Sequence, residues 1–485
     1  MNGIDLVVVV VYIAGVSILG ASLGARSRGL KGYFLGESDV PAWAVMISIV
    51  ATETSTATFL SVPGVAYRGD FTYLQLAFGY IIGRVLVAVF LLPAYFRGSI
   101  LTAYQLLQER FGGPTRTLAS LLFLAARSLG DGLRLFLAAT VLEHLTGWSS
   151  MAAIAVLALV TVVYTFLGGM KAVVWTDVIQ FCVYILGACA ALLILARELP
   201  GGWPTLIETA RQGGKLHLLD FRFDLTRPFT FWAGVLGGMV LNTATHGVDQ
   251  MMVQRYLAAR SQGQAAFALV ASGFVVLAQF ALFLLIGASL WVFYRALPPA
   301  VPLGSDEVFT YFIVHYLPRG MMGLLVAAIF SAAMGTLAGS LNSASATIVN
   351  DLYRPLFPAA DERRLMFVSR GAVVAWGVVL AFVASQARRL DENVVVSALT
   401  VASFVSGILL GVFLLGLFAD RVGQGAALVG VLVGAAAVTV AKFATPLAWP
   451  YFATVGASSV VLAALAASLV LPRLGAVPQH SSADA

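Results

Sequence analysis

Long apolar runs separated by short polar connections recur from one end of the chain to the other. They lie near 4–24, 43–66, 73–96, 117–142, 150–168, 174–196, 229–250, 265–293, 319–350, 365–387, 393–417, 424–443 and 449–471. A helix of about 20 apolar residues crosses the hydrocarbon core of a bilayer. The pattern therefore predicts an all-α polytopic membrane protein with about 13 transmembrane helices. The first run, Ile4 to Gly24, has no basic residue ahead of it and is long enough to span, so it reads as a retained helix, not a cleaved leader. None of the polar connections approaches the ~50 residues of a small soluble domain. One transmembrane domain over 1–485 is expected, ending in a polar tail over 472–485.

Composition agrees. The 485 residues are 60% hydrophobic and 11% charged, against about 25% charge in soluble domains. The formal charge of +6 does not point to nucleic acid. Its basic residues sit in short connections, as at Arg26, Arg28, Lys31, Arg97, Arg110, Arg116, Arg255, Arg260, Arg363 and Arg364. That distribution places the N-terminus outside and the C-terminus inside, with Arg388 and Arg389 among the few basic residues left outside. Cys182 and Cys189 lie in one run and offer neither a disulfide framework nor metal-ligand spacing. No Asn-x-Ser/Thr sequon occurs, which favours a bacterial plasma membrane. A monomer is compatible with the pattern, and the oligomeric state is not readable.

Two runs are interrupted, five spans apart: the second at Ser61-Val62-Pro63-Gly64, the seventh at Asn242 to Gly247. Broken helices persist in a membrane where they line a cavity or bind an ion, and a matched pair points to a transporter's central site.

Three clusters carry candidate chemistry. Ala51 to Thr58 places Glu53 and five hydroxyls on two turns, suiting a hard cation or a polar solute. Those hydroxyls could instead bond back to the helix backbone. Gly168 to Gln180 sets Asp177 one turn into the sixth span, either as a first-turn acid or as an ion-coupling residue. Ala327 to Ser343 has small residues at every third or fourth position, suiting close helix packing, with Thr336 the hydroxyl of interest. In the fourth span Arg127 and Asp131 are four residues apart and read as an internal ion pair; Arg84 is similar, and His246 stands alone.

Gly168-Gly169-Met170-Lys171-Ala172-Val173-Val174-Trp175-Thr176-Asp177-Val178-Ile179-Gln180 resembles the signature of the sodium:solute symporter family. So do Asp249-Gln250 with Val253 to Ala259, and Leu341 to Ser345 with Asp351-Leu352-Tyr353. The resemblance implies a LeuT-like fold: a leading helix at 4–24, a core over 43–250 and 265–417 holding two inverted five-helix repeats, and two trailing helices over 424–471. It implies a sodium site using carbonyls of Ala51, Thr54 and Ala332 and the hydroxyl positions at Gly335 and Thr336. Gly335 departs from the usual serine, so Thr54 or Glu53 is expected to compensate. A second family site would combine Asp177 with Gly335, Ala338 and Gly339, none of which has a hydroxyl, so one sodium ion is expected.

The function expected is sodium-coupled uptake of a small polar organic solute by alternating access. Ion coupling falls to Glu53 and Asp177, and solute contacts to Glu53, Ser55, Thr58, Gln75, Asn242, Thr245 and His246. Glu53 suits an amine-bearing solute but could serve the ion instead. Sugars, amino acids, monocarboxylates and nucleoside-like compounds stay open. A proton-coupled transporter exchanging protons at Glu53 and Asp177, and a membrane sensor, are the alternatives. A membrane enzyme is disfavoured, since no nucleophile motif or histidine cluster is present.

Overall fold

The computed structural model of the chain describes residues 3–24, 29–98, 100–199, 201–300, 302–305, 307–318, 320–387 and 394–471. Arg26, Arg28, Arg388, Arg389 and the tail over 472–485 lie outside the described residues. The principal helices are α1 (Gly3–Gly24), α2 (Ala42–Glu53), α3 (Thr56–Arg68), α4 (Gln75–Leu86), α5 (Gly113–Thr146), α6 (Ser150–Glu198), α7 (Gly238–Val248), α8 (Gln250–Leu257), α9 (Gln262–Ala296), α10 (Met321–Thr347), α11 (Glu362–Gln386), α12 (Val394–Phe418), α13 (Gln424–Ala444) and α14 (Phe452–Ala467). The only β pairing among the described residues is one bridge between Val40 and Ala259.

Eight of the described helical stretches are long and apolar enough to cross a membrane, and the bent pair at α2 and α3 makes a ninth. The expected segments at 117–142 and 393–417 are helical too, as α5 and α12, the first with Arg127, Asp131 and Arg134 in its apolar run. The 49-residue α6 covers the fifth and sixth expected spans. It changes direction at Gly169, whose φ of 60° suits glycine and whose absent Cβ would sit 2.7 Å from the Tyr33 carbonyl oxygen.

α10 is the most enclosed of these spans and α1 the least. The small residues of α10 are all buried and let α6 and α1 close on it, as expected where backbone approach replaces a hydrophobic driving force. α2 and α3 pack on α9, α4 on α7, α5 on α11 and α12, and α13 on α14.

The helix breaks are not where proline, glycine and polar clustering suggested. Ser61 to Gly64 is helical within α3, with Pro63 inside it. Gly64 is there for packing: a Cβ would meet the Ser305 carbonyl oxygen at 2.0 Å. Its neighbour Pro63 turns its own carbonyl onto Gly287, where a Cβ would also sit 2.0 Å away. The chain breaks instead at Thr54 and Ser55, with α2 and α3 bent by 61°. Ser55 is extended and its hydroxyl accepts from the Thr58 backbone N–H at 3.4 Å, capping α3. Likewise Asn242 to Gly247 is helical in α7, and the break falls at Asp249. Its carboxylate accepts from the Met251 N–H at 2.9 Å and caps α8.

Candidate functional site

The end of α2 at Glu53 deprives its last carbonyls of intrahelical donors. α10 crosses at this point. The Thr336 hydroxyl stands 3.1 Å from the Thr52 carbonyl oxygen and 3.3 Å from that of Ala332, and Thr56 donates to the Ile329 carbonyl at 3.3 Å. Ala51, Thr54, Ala332, Gly335 and Thr336 are all buried in this crossing. It gathers neutral oxygens from a helix end and from a facing helix, a donor set that suits a hard monovalent cation.

Thr54 does not supply a spare hydroxyl. Its Oγ1 donates to the Val50 carbonyl at 2.8 Å and accepts from Gln279 Nε2 at 2.7 Å. The Glu53 Oε2 is held by Arg84, which also bonds Ser272. The place a serine would take at Gly335 is occupied differently: a Cβ there would lie 2.6 Å from Gln180 Oε1 and 3.2 Å from Asp177 Oδ1.

Beside the break lies a cavity of about 130 Å³. Glu53, Ser55, Thr58, Asn242, Thr245 and His246 all line it. Gln75 does not: it is buried beneath an extramembranous loop, its amide donating to the Thr72 and Phe229 carbonyls and accepting from the Asp220 N–H. It clamps a loop, and long-range backbone acceptors of this kind leave no trace in the local sequence.

Three side chains missed in the sequence also line the cavity: Tyr73, Tyr80 and Phe280. The Phe280 ring stands 5.5 Å from Tyr73 and 6.4 Å from Tyr80. Aromatic positions in an apolar run look like core or lipid contacts, so pattern alone gave no signal.

Charges crowd the wall. Arg127 pairs with Asp249, and Asp131 pairs with Arg134 at 2.5 Å. The expected Arg127–Asp131 contact exists at 3.7 Å, but each partner has a nearer one. His246 is not alone: Nδ1 is 2.9 Å from the Tyr256 hydroxyl and Nε2 is 3.6 Å from Glu53.

Asp177 stands apart from this cavity and is fully buried. Its Oδ2 accepts from Ser48 at 2.5 Å, from Arg255 at 3.1 Å and from Thr52 at 3.4 Å. Arg255 is thus a correction: it is buried and paired, not a basic residue of an inner connection. Its guanidinium also borders Gly339, where a Cβ would sit 2.8 Å from Nη2. Lys171, by contrast, is partly exposed and pairs with Asp39 at 3.0 Å.

Comparison with known proteins follows the same lines. Residues 33–434 match the model of the sodium:solute symporter family. The sodium/sialic acid symporter SiaT of Proteus mirabilis (strain HI4320) is 29% identical over 457 residues, covering 93% of this chain and 92% of that protein. The human sodium/iodide cotransporter is 31% identical over 423 residues, covering 84% of this chain; the chain spans only 64% of that longer protein. A solved substrate-bound, outward-open Na+-coupled sialic acid symporter superposes with a TM-score of 0.90 at 28% identity, covering 97% of this chain and 99% of that one.

Proposed function

The chain belongs to the sodium:solute symporter family, and we propose from that premise that its broken second span holds a sodium ion beside a cavity for a small organic solute. It is a multi-pass membrane protein with a LeuT-like fold and performs sodium-coupled solute symport. The single observation carrying the ion site is the crossing of α10 over the open end of α2, where the Thr336 hydroxyl reaches the Thr52 carbonyl at 3.1 Å.

Sodium takes carbonyls of Ala51, Thr54 and Ala332 and the Thr336 hydroxyl, with Gly335 contributing backbone only. One helix end and the facing bundle are then bridged by a charge. Solute occupies the neighbouring cavity against Glu53, Ser55, Thr58, Asn242, Thr245 and His246. A ligand shifts a conformational equilibrium only by its differential affinity for the two states. Sodium and solute raise each other's affinity equally, with a coupling of about 1–3 kcal/mol. We assign the two inverted five-helix repeats to the core over 43–250 and 265–417. One sodium ion per cycle is proposed, because Asp177 is already engaged by Arg255 and Ser48 and borders Gly335 on α10, which has no hydroxyl.

The relatives are named as transporters, and we take the solute to leave unchanged. A bacterial inner membrane with the N-terminus outside fits the bacterial relative and the placement of basic residues. Accumulation of labelled solute in proteoliposomes under an inward sodium gradient tests the reading. A sodium gradient should drive it, and a proton gradient in its place should not. The reverse result would move the ion-coupling role to protons at Glu53 and Asp177.

A further inference from the structure

We propose that Gln279 is a positioning residue for the sodium ion: it fixes the break between α2 and α3 so that the carbonyls of Ala51 and Thr54 stay aimed at the ion. The inference rests on the sodium reading above and adds to it a residue outside the ion's own ligands.

Between Ser272 and Ser289 of α9, Gln279 is the sole polar side chain in an otherwise apolar run. A carboxamide is costly in such surroundings unless both its ends are paired. Both are. Nε2 donates to the Thr54 hydroxyl oxygen at 2.7 Å, and Oε1 accepts from the Tyr184 hydroxyl at 3.0 Å. Thr54, Tyr184 and Gln279 are all buried. One side chain thus ties α6 and α9 to the residue at which the second span breaks.

Chemistry fixes the direction of these bonds. The Val50 carbonyl can only accept, so the single Thr54 hydroxyl proton goes to it, at 2.8 Å. Thr54 Oγ1 is left with lone pairs alone, and only a donor suits it there. Gln279 must therefore turn its NH2 group to Thr54, which leaves its oxygen for the Tyr184 proton. A leucine in its place has no polar atom, and an ionised carboxylate has no proton to give.

The chain of bonds ends on the backbone that carries the ion. Thr54 lies between α2 and α3 with φ −84° and ψ 93°, and its N–H also bonds the Val50 carbonyl, at 3.0 Å. That carbonyl belongs to the peptide joining Val50 to Ala51. Ala51 and Thr54, whose carbonyls are assigned to sodium, thus sit at the two ends of one hydrogen-bonded turn. Gln279 clamps the end that no helix holds. Groups that orient a metal's ligands without touching it set its affinity by roughly 10–100-fold. An amide that only packs helices together would contribute stability in any salt.

The test is thermal unfolding of the purified full chain in sodium chloride titrated against potassium chloride, fitted for the sodium Kd separately from the baseline in potassium. Gln279→Leu and Thr54→Val should each raise that Kd at least about tenfold. The two together should raise it no further than the larger single effect, since both remove one bond. Thr54→Ser, which keeps the hydroxyl, should bind sodium more tightly than Thr54→Val. A sodium Kd unchanged in Gln279→Leu, whatever its potassium baseline, would reduce Gln279 to a packing residue and overturn the proposal. Should that variant not stay monodisperse, an unchanged Kd in Thr54→Val overturns it equally. A parent with no sodium response at all would overturn the sodium site itself and this inference with it, and is thereby told apart from a failure of Gln279 alone.

Discussion

Asp177 and Arg255 illustrate what a single side chain does in this molecule. Both are buried, and each is the other's counter-charge. Removing one partner of such a pair costs about 3–5 kcal/mol, because the survivor is left charged and unpaired. Asp177→Asn should therefore lower stability by that order in detergent. Adding Arg255→Gln should recover part of the loss in a double-mutant cycle. Single variants within about 0.5 kcal/mol of the parent would show that the pair contributes nothing. Asp177 was visible in the sequence as an intramembrane acid, because a charge in an apolar run stands out. Arg255 was not, because it lies near the end of its run and looks like an interface residue. Gly335 was visible as a departure, but only the fold reveals that Asp177 and Gln180 fill the space a side chain would take.

At the scale of elements, caps decide where the spans break. The apolar pattern located the helical segments well, since burial in lipid or in the bundle depends on the same hydropathy. It misplaced both breaks. Gly64 is accepted inside α3 because the Ser305 backbone crowds against it, and Pro63 stays within the helix with its carbonyl packed on Gly287. Ser55 and Asp249, two ordinary N-cap residues, mark the actual breaks. The readable signal was a capping side chain two or three residues before a helical N–H, set inside an apolar run. Ser55→Ala should cost about 1 kcal/mol through loss of the cap, read as a shift in the denaturation midpoint. No shift would mean the break persists without its cap.

An extramembranous loop makes a separate prediction. Arg222 bonds the Asp220 carboxylate at 2.6–3.1 Å and holds its pKa down to about 2. A carboxylate depressed in the folded state stabilises it above its ordinary pKa near 3.9, and that support is lost as pH falls toward 2. The same residue receives the Phe231 N–H on its carbonyl at 2.7 Å, so the loop anchor should loosen in that window. Intrinsic tryptophan fluorescence followed from pH 5 to pH 2 should show a transition that Asp220→Asn lacks. A transition unchanged in the variant would assign it to another group.

For the whole molecule, one bundle brings two kinds of site side by side: neutral oxygens at a helix break, and a cavity walled by paired charges. Both breaks, at Thr54–Ser55 and at Asp249, border that cavity through Glu53, Ser55 and Asp249. The sequence pointed to most of the lining because polar residues in apolar runs are conspicuous. It could not supply the pairings of Glu53 with Arg84 or of Arg127 with Asp249, which join helices far apart in the chain.

The account stands on sodium binding at the crossing of α2 and α10. The direct measurement is the thermal unfolding midpoint of purified protein titrated with sodium chloride at constant ionic strength, potassium chloride making up the balance. A ligand of the native state stabilises as the logarithm of one plus its concentration over Kd. The parent should gain stability saturably with sodium, and Thr336→Ala should need far more sodium for the same gain. Equal stability at every sodium-to-potassium ratio, or a sodium response untouched in Thr336→Ala, would contradict the assignment of this site.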